Sequence, residues 1–372
     1  MKNKQISEFL QSRIDAKDFP SAVYLVAEKG EIVCQDALGF AVVEPEKIEA
    51  KLDTIYDLAS VTKVFVTGLL CAKLIEKKEI NLNNKIKQFF SEFDTDEKRE
   101  ITIENLLVHN SGFVNWKPFY LITNFKSEIS NLIASEPLAN PINSTVVYSD
   151  LNFILLGFLL EKIYGKPLDE IAKQEIFAPL NLQNTFYNPT KERQKRIAAS
   201  EKGNEYEKQT CIELGYQIAN PQSQIRYQIV WGEVHDGNCY FMNGVSGHAG
   251  LFSTAEETFK IAQQFLANQT TLLESETCKL FRTNFTEGLN EARSIAFQLA
   301  ETKDSTASAA LSKDSFGHLG FTGTSLWIEP ERERIFILLT NRTHARELPF
   351  ANINSVRRKF HEFATEILSA KS

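Results

Sequence analysis

Segments rich in β-branched and aromatic residues lie near both ends of the chain, and this constrains the fold more than any other feature. Residues 21–27 and 32–39 flank a turn that contains Gly30, a pattern that predicts a β-hairpin. Residues 324–329 and 334–340 flank a short polar turn and predict a second hairpin near the other end. The two ends of the chain are therefore expected to supply the strands.

Helical patterns fill the region between the hairpins. The segments with apolar residues at helical spacing include 61–77, 151–163 and 256–266. We predict an α/β (α+β) fold with an antiparallel sheet flanked by helices, built from both chain termini and carrying a mostly helical inserted domain. Residues 1–58 and 285–372 are predicted to form the sheet domain, and residues 59–284 the inserted domain.

The composition is that of a globular protein. Of the 372 residues, 43% are hydrophobic and 24% are charged, which excludes a disordered or collagen-like chain. The net charge of −7 speaks against a nucleic-acid partner, because such proteins normally carry an excess of basic residues. No apolar run reaches the ~18 residues that a membrane-spanning segment needs. The N-terminus shows no signal-peptide pattern, so we expect a cytoplasmic location, or a periplasmic or exported one if a leader has been removed.

No motif points to a cofactor or a metal ion. The five cysteines are dispersed and form no Cys-x-x-Cys pair. The chain has no His-Glu-x-x-His motif, no Walker A motif and no G-x-G-x-x-G loop. We expect the partner to be a small-molecule or peptide substrate, and the sequence does not predict the oligomeric state.

The sharpest local feature is the run Ala59-Ser-Val-Thr-Lys63. Ser60 and Lys63 share one face of a helix start because they are three residues apart. A serine hydroxyl becomes a useful nucleophile when a neighbouring group takes its proton, and a helix start offers backbone N–H groups to an oxyanion. The alternative is an ordinary N-cap serine beside a solvated lysine.

Two later segments strengthen the catalytic interpretation. Tyr148 precedes a helical pattern and would suit a general base if a cation such as Lys63 lowered its pKa, although a half-buried core tyrosine is the simpler alternative. His318 lies in a Gly-rich run, where glycine permits close approach of a backbone to a ligand. A glycine-rich turn with an exposed His318 is the alternative.

These motifs together resemble the serine β-lactamase and penicillin-binding-protein superfamily. The branch that holds class C β-lactamases, D-Ala-D-Ala carboxypeptidases and related esterases is the most similar, with Ser-x-x-Lys, Tyr-x-Asn and Lys- or His-x-Gly motifs in this order. The chain offers Ser60-x-x-Lys63, Tyr148-Ser-Asp150 and His318-Leu-Gly320. Further similar segments are residues 55–59, 79–86, 106–113, 232–236 and 247–254.

The resemblance implies a role for each matched residue. Ser60 would be the acylated nucleophile, Lys63 would assist its deprotonation, and Tyr148 would be the general base and acid. His318 would orient Tyr148 or the substrate carboxylate, beside Gly320 of the same motif. The oxyanion hole would consist of the backbone N–H groups of Ser60 and Phe321.

Two of these positions depart from the pattern of relatives. Asp150 stands where many relatives have asparagine, and its carboxylate would pair with Lys63 and hold it charged. His318 replaces lysine, so a positive charge there would depend on pH near ~6.5. The histidine form is more typical of peptidase-like and esterase-like members.

We therefore predict a serine hydrolase that acts through an acyl-enzyme on a D-Ala-D-Ala-type peptide, a β-lactam or a carboxylic ester. The main alternative is a catalytically weak penicillin-binding, peptidoglycan-binding or self-assembling module of the same fold. A minor alternative is a triad of Ser246, His248 and Asp236. His109 is interpreted as a structural hydrogen-bonding residue, and Arg342 as a carboxylate binder or a surface-turn residue.

Overall fold

A computed structural model describes residues 1–218 and 225–369. Seven strands form one sheet in the order β3-β2-β1-β9-β8-β7-β6, and two short strands, β4 and β5, form a second sheet. The strands are β1 (Ser21–Glu28), β2 (Glu31–Val42), β3 (Ile48–Glu49), β4 (Tyr56–Asp57), β5 (Phe252–Ser253), β6 (Gln298–Leu299), β7 (Phe316–Leu319), β8 (Ser325–Glu329) and β9 (Arg334–Thr340).

The large sheet joins the two ends of the chain. β1 pairs antiparallel with β2 on one side and with β9 on the other, with Val23 opposite Leu339. β8 and β9 form the second hairpin. Both predicted hairpins and the antiparallel sheet built from both termini are thus confirmed.

Helices cover both faces of this sheet. Along β1, Tyr24 and Val26 pack in one apolar cluster with the two terminal helices, whereas Val23 and Leu25 belong to a second cluster formed with the inserted helices. This alternation follows from the two-residue period of a strand. Since both faces are covered, the central strands are apolar throughout instead of alternating with polar residues.

The α-helices lie mainly between the two hairpins. They are α1 (Lys4–Asp15), α2 (Leu69–Glu76), α3 (Ile103–Leu107), α4 (Phe119–Ile122), α5 (Ile129–Ser135), α6 (Asp150–Tyr164), α7 (Leu168–Ala172), α8 (Glu205–Glu213), α9 (Gly237–Phe241), α10 (Ala255–Ala262) and α11 (Asn354–Ser369). The remaining helical segments are 3₁₀ turns and two π-helical segments, Lys63–Gly68 and Lys173–Phe177. The predicted domain boundaries stay a prediction.

The predicted helix over residues 61–77 is not a uniform α-helix. A 3₁₀ turn, Ala59–Val61, leads into the π-helical segment Lys63–Gly68 and then into α2. π-Helical turns widen a helix locally and are frequent at functional sites. Ser60 lies in the 3₁₀ turn, and Lys63 is the first residue of the π-helical segment.

Candidate active site

The predicted residues lie around one cleft between strand β7 of the large sheet and the inserted helices. The cleft has a volume of about 760 Å³. Its walls include Ser60, Tyr148, Asp150, His318, Gly320 and Phe321. Lys63 lies behind the wall and is fully buried. The structure therefore brings together all seven residues that the sequence singled out.

Ser60 follows a strained backbone turn. Ala59 has a φ of 47°, which is unfavourable for a residue other than glycine. The carboxylate of Asp57 accepts the Ala59 backbone N–H at 2.8 Å and the His235 backbone N–H at 2.8 Å. Burial raises the pKa of Asp57, although these two donors oppose the shift. Asp57, which the sequence analysis missed, thus ties the serine turn to the loop that carries His235.

Lys63 holds three groups together. Its Nζ lies 3.0 Å from Ser60 Oγ, 3.0 Å from the carbonyl oxygen of His248 and 2.7 Å from Asp150 Oδ1. The contacts with Ser60 and His248 are hydrogen bonds, and the contact with Asp150 is an ion pair. Burial is the largest single influence and opposes the charged form, but Asp150 and Tyr148 together outweigh it, and the pKa of Lys63 is raised. Lys63 is therefore a cation, as the expected pairing with Asp150 implied.

The carbonyl of His248 reaches Lys63 because the loop that carries Gly247 and His248 lies directly against helix α6, with no side chain between the two backbones. A Cβ on Gly247 would lie 2.2 Å from the carbonyl oxygen of Phe153 in α6. Gly157, one turn later on α6, faces the same loop, where a Cβ would lie 2.9 Å from the Gly247 nitrogen. These glycines allow the loop to lie directly on the helix.

Tyr148 lies between cationic groups and an imidazole. Its ring centroid is 5.0 Å from Lys63 Nζ, 5.3 Å from Arg293 Cζ and 4.6 Å from the His109 ring. Its hydroxyl is buried. Burial raises the pKa of Tyr148 despite the opposing charge of Lys63. The phenol is therefore neutral, and the polar side chains that act on it include the Lys63 ammonium and the Ser60 hydroxyl.

His109 orients this segment, in line with its predicted structural role. Its Nδ1 accepts the backbone N–H of Ser149 at 3.0 Å, which fixes the residue directly after Tyr148. Its ring also packs against Phe153 at 5.0 Å.

His318 differs from the expectation of a group that titrates near neutrality. Burial, together with the charges of Arg293 and Lys63, lowers the pKa of His318 well below its usual value. Nδ1 lies 2.9 Å from the Leu319 carbonyl oxygen, which can only accept, so Nδ1 carries the proton. Nε2 is then a hydrogen-bond acceptor, and it has no partner among the described residues. His318 is a neutral acceptor and not a cation.

Gly320 and Phe321 bring strand β7 against the serine turn. A Cβ on Gly320 would lie 2.5 Å from the Leu58 carbonyl oxygen, so only glycine fits. The Phe321 ring lies between the His235 ring, at 5.3 Å, and the Arg342 guanidinium, at 4.9 Å. The backbone N–H of Phe321 donates to no described residue, as a member of an oxyanion hole requires.

Ser246, His248 and Asp236 do form a hydrogen-bonded chain. Ser246 Oγ lies 2.8 Å from His248 Nδ1, and His248 Nε2 lies 2.9 Å from Asp236 Oδ1. However, Asp236 lines the cleft, while Ser246 and His248 are buried behind it. A nucleophilic triad needs the opposite order, with the serine facing the substrate.

The same carboxylates form one grouping that has the donor atoms for a metal ion. Among the residues described, Asp150, Asp236 and His248 place one ligand atom each within 4.8 Å of one another. Asp150 already pairs with the Lys63 ammonium, and Asp236 pairs with His248. The pKa of Asp236 is lowered although burial opposes this, because His248 stabilises the carboxylate. This grouping functions as an ion-pair network around Lys63.

Another acidic residue, Glu207, also lines the cleft and was not singled out from the sequence. Its carboxylate accepts the Gly237 backbone N–H at 2.8 Å and the Tyr120 hydroxyl at 2.8 Å. Burial, with a contribution from Asp236, raises the pKa of Glu207 to about 7. Nearby, His235 pairs with Glu201 at 3.0 Å. No local motif marks these residues, because they come from separate loops.

We expect Glu207→Gln to change how stability depends on pH. Because the carboxyl pKa is raised, the contribution of Glu207 to the free energy of unfolding is fully present below pH ~4.5. This contribution falls as the pH rises toward 7, since the unfolded state loses the Glu207 proton first. The substituted amide carries no charge, so the difference in free energy of unfolding, variant minus wild type, should rise by at least about 1 kcal/mol between pH 5 and 8. Urea unfolding at both pH values measures it, and a constant difference would contradict the raised pKa.

With the fold and this site established, the class of protein follows. The Beta-lactamase family model matches residues 6–356, and the chain belongs to this family. The fold is β-lactamase/transpeptidase-like, and the family assignment confirms the predicted resemblance. Among the described residues, no helix has both the length and the apolar character needed to cross a membrane.

Individual relatives are named as hydrolases. The chain is 30% identical to a "Putative D-alanyl-D-alanine carboxypeptidase" of Escherichia coli (strain K12), with 92% of this chain and 82% of the relative aligned. It is 29% identical to an "N-acetylmuramyl-L-alanine amidase" of Bacillus subtilis (strain 168), over 92% of this chain and 81% of the relative. The solved structure of EstCE1, a hydrolase with promiscuous acyltransferase activity, has a TM-score of 0.73 at 19% identity, covering 96% of this chain and 98% of that one. This structural similarity supports the fold, and the names of the relatives support a hydrolase of this family.

Proposed function

We propose that the protein is a serine hydrolase that forms an acyl-enzyme on Ser60 from an amide or ester substrate. The observation that carries the proposal is the buried Lys63 ammonium, which donates to Ser60 Oγ at 3.0 Å and is held by Asp150 at 2.7 Å. A cation fixed beside a serine oxygen stabilises the negative charge that develops there during attack.

Acylation uses the neutral Tyr148 hydroxyl as a proton relay. Ser60 Oγ bonds to the substrate carbonyl carbon while its proton passes to the Tyr148 oxygen, and the phenol proton passes to the leaving nitrogen or oxygen. The bond between the carbonyl carbon and the leaving atom then breaks. The interaction of the phenol with the Ser60 hydroxyl supports this role, because the serine proton can pass to Tyr148 while the substrate's leaving atom accepts the phenol proton.

Deacylation repeats the relay with water. A water oxygen bonds to the acyl carbon, its proton passes to Tyr148, and the phenol proton returns to Ser60 Oγ as the ester bond breaks. Lys63 stays charged throughout and acts by electrostatic stabilisation. The backbone N–H groups of Ser60 and Phe321 are assigned to the oxyanion.

Peptides and simple esters rank above β-lactams as substrates. The names of the two relatives favour a D-Ala-D-Ala-type peptide or the amide bond of an N-acetylmuramyl-L-alanine unit. A neutral His318 lacks the positive charge of a third-motif lysine, which supports the lower rank of β-lactam hydrolysis.

Incubation with benzylpenicillin, followed by intact-protein mass spectrometry and peptide mapping, tests the proposal. We expect an adduct on Ser60 that outlasts many minutes, because acylation would be faster than deacylation. Hydrolysed drug without an adduct would identify a β-lactamase instead. If drug and protein both stay unchanged, and no ester or N-acetylmuramyl-L-alanine amide is hydrolysed, the proposed acyl-enzyme is wrong.

The alternative function, a weakly catalytic binding or self-assembling module, predicts different results. Such a module would acylate without multiple turnover, or would assemble at micromolar concentration. Repeated turnover that depends on Ser60, in a protein that sediments as a monomer, would exclude both forms of this alternative.

A further inference from the structure

The two N–H groups assigned to the oxyanion come from segments that are far apart in the chain. Ser60 lies in the turn that follows β4, whereas Phe321 lies in the loop between β7 and β8. An oxyanion hole works only when its donors lie ~2.7–3.1 Å from the position that the oxygen takes in the transition state. The distance between these two segments therefore affects catalysis, and contacts within the fold have to fix it.

Two threonine hydroxyls connect the segments. Thr322 Oγ1 donates to the carbonyl oxygen of Asp57 at 2.8 Å, and Thr324 Oγ1 donates to that of Leu58 at 3.1 Å. Both threonines are buried, and the two bonds join residues 265 and 266 positions apart. Thr322 directly follows Phe321, and the accepting carbonyls belong to the segment that leads into the serine turn.

The serine side of this connection is held by further hydrogen bonds. The Leu58 carbonyl oxygen also accepts the Val61 N–H at 3.1 Å, across the turn that contains Ser60. The side chain of Asp57 accepts the Ala59 N–H at 2.8 Å. A displacement of the two carbonyls would therefore be passed on to the N–H of Ser60.

The strand side is held in the same way. The Gly320 N–H donates to the Thr324 carbonyl oxygen at 2.9 Å, and the Gly323 N–H donates to the Gly320 carbonyl oxygen at 3.1 Å. Phe321 and Thr322 are thus the central residues of a tight turn. Because this turn is closed at both ends, a hydrogen bond from the Thr322 side chain also sets the position of the Phe321 N–H.

We propose that Thr322 and Thr324 are positioning residues of the oxyanion hole, whose hydroxyls hold the Phe321 N–H at the working distance from the Ser60 N–H. The inference rests on the proposed acyl-enzyme function. Neither threonine lines the cleft, so both act through the backbone and not by contact with the substrate. Threonine suits this task because its branched Cβ restricts χ1 and so fixes the direction of the hydroxyl.

Thr322→Val and Thr324→Val keep the shape of the side chain, remove the hydroxyl and test the proposal with 4-nitrophenyl acetate. We expect each variant to lower kcat by ~10–100-fold, because a small misplacement of an oxyanion donor is costly. Acylation and deacylation both pass through an oxyanion, so KM should stay within about threefold of wild type. Thr322→Ser restores the hydroxyl and should keep kcat within about fivefold of wild type.

Thr340→Val is the matched control. Thr340 is equally buried, and its Oγ1 donates to the Gly323 carbonyl oxygen at 3.1 Å, so this bond lies within the strand side and does not reach the serine turn. We expect kcat of Thr340→Val to stay within about threefold of wild type. A loss equal to that of Thr322→Val would overturn the proposal, because a bond across the two segments would then have no special effect.

Inhibition by phenylboronic acid separates positioning from stability. The Ser60 oxygen adds to boron as its proton leaves, and the tetrahedral, negatively charged adduct resembles the transition state of ester hydrolysis. We expect the inhibition constant to rise in proportion to the loss of kcat/KM in Thr322→Val and Thr324→Val. A lower melting temperature with an unchanged inhibition constant would indicate a merely structural role and would contradict the proposal.

The two proposals fail in different ways. If hydrolysis requires Ser60 but both valine variants keep kcat within about threefold of wild type, the positioning role is wrong and the acyl-enzyme function stands. If Ser60→Ala retains wild-type turnover and phenylboronic acid does not inhibit, the acyl-enzyme function is wrong, and the positioning role is rejected with it.

Discussion

Replacing Ser60 with alanine is expected to reduce kcat/KM for 4-nitrophenyl acetate by ~10³-fold or more, because the covalent intermediate can no longer form. The fold should persist, since Ser60 is a partly exposed residue of a short 3₁₀ turn and its hydroxyl contacts side chains of the cleft, Lys63 among them. Steady-state release of 4-nitrophenol measures the loss, and an unchanged melting temperature shows that the variant is folded.

Ser246→Ala is the matched control for this experiment. Ser246 belongs to the chain with His248 and Asp236, but it is buried and does not line the cleft. We expect its removal to change kcat/KM by less than about threefold, in line with a modest loss of one hydrogen bond. If Ser246→Ala abolishes turnover and Ser60→Ala does not, the nucleophile has been assigned to the wrong serine.

The second large effect is expected for Lys63→Met. Methionine fills a similar volume but removes the cation that contacts Ser60 Oγ, so kcat should fall by ~10²–10³-fold or more. Removal of the ammonium also leaves Asp150 and the His248 carbonyl without a donor. We expect the free energy of unfolding at pH 7 to fall by about 1–3 kcal/mol.

Asp150→Asn tests the same network more gently. The amide oxygen can still accept from Lys63, but the negative charge that raises the pKa of Lys63 is gone. Lys63 then loses its proton at a lower pH, so the alkaline limb of the kcat profile should move to lower pH while activity at pH 6–7 falls by less than about tenfold.

The outcome that would contradict the role of the Lys63 cation is a Lys63→Met variant whose activity stays within tenfold of wild type.

Local patterns were sufficient to predict the two hairpins, whereas the three motifs were recognised as an ordered set that resembles those of a known family. Strand alternation and turn residues are set by near neighbours, so residues 21–39 and 324–340 were recognisable in isolation. The pair Ser60 and Lys63 was equally accessible, because a helix start fixes the relation between residues three positions apart. The partnership of Asp150 with Lys63 followed from charge once the motifs were placed together.

Other parts of the site depend on contacts between distant segments. The bond from Lys63 to the His248 carbonyl joins residues 185 positions apart, and Asp57 meets the His235 N–H across 178 positions. Asp236 faces the cleft while His248 and Ser246 lie behind it, and this arrangement depends on how their loop packs on α6. No sequence pattern encodes such distances, because side chains far apart in sequence meet only after the core has formed.

The sequence by itself determined the strand-forming ends, the helical middle and the pairing of Ser60 with Lys63, since these follow from local periodicity and spacing. The roles of Tyr148 and Asp150 were implied by the resemblance of the ordered motifs to a known family. The tertiary structure decided which side chains of the cleft are charged and which of their N–H groups lack a hydrogen-bond acceptor. Burial beside Arg293 and Lys63 makes His318 neutral, and the same cleft wall leaves Arg293 with N–H groups that no described residue accepts. Protonation and hydrogen bonding depend on the solvent and charges around a group, and only the folded chain defines these surroundings.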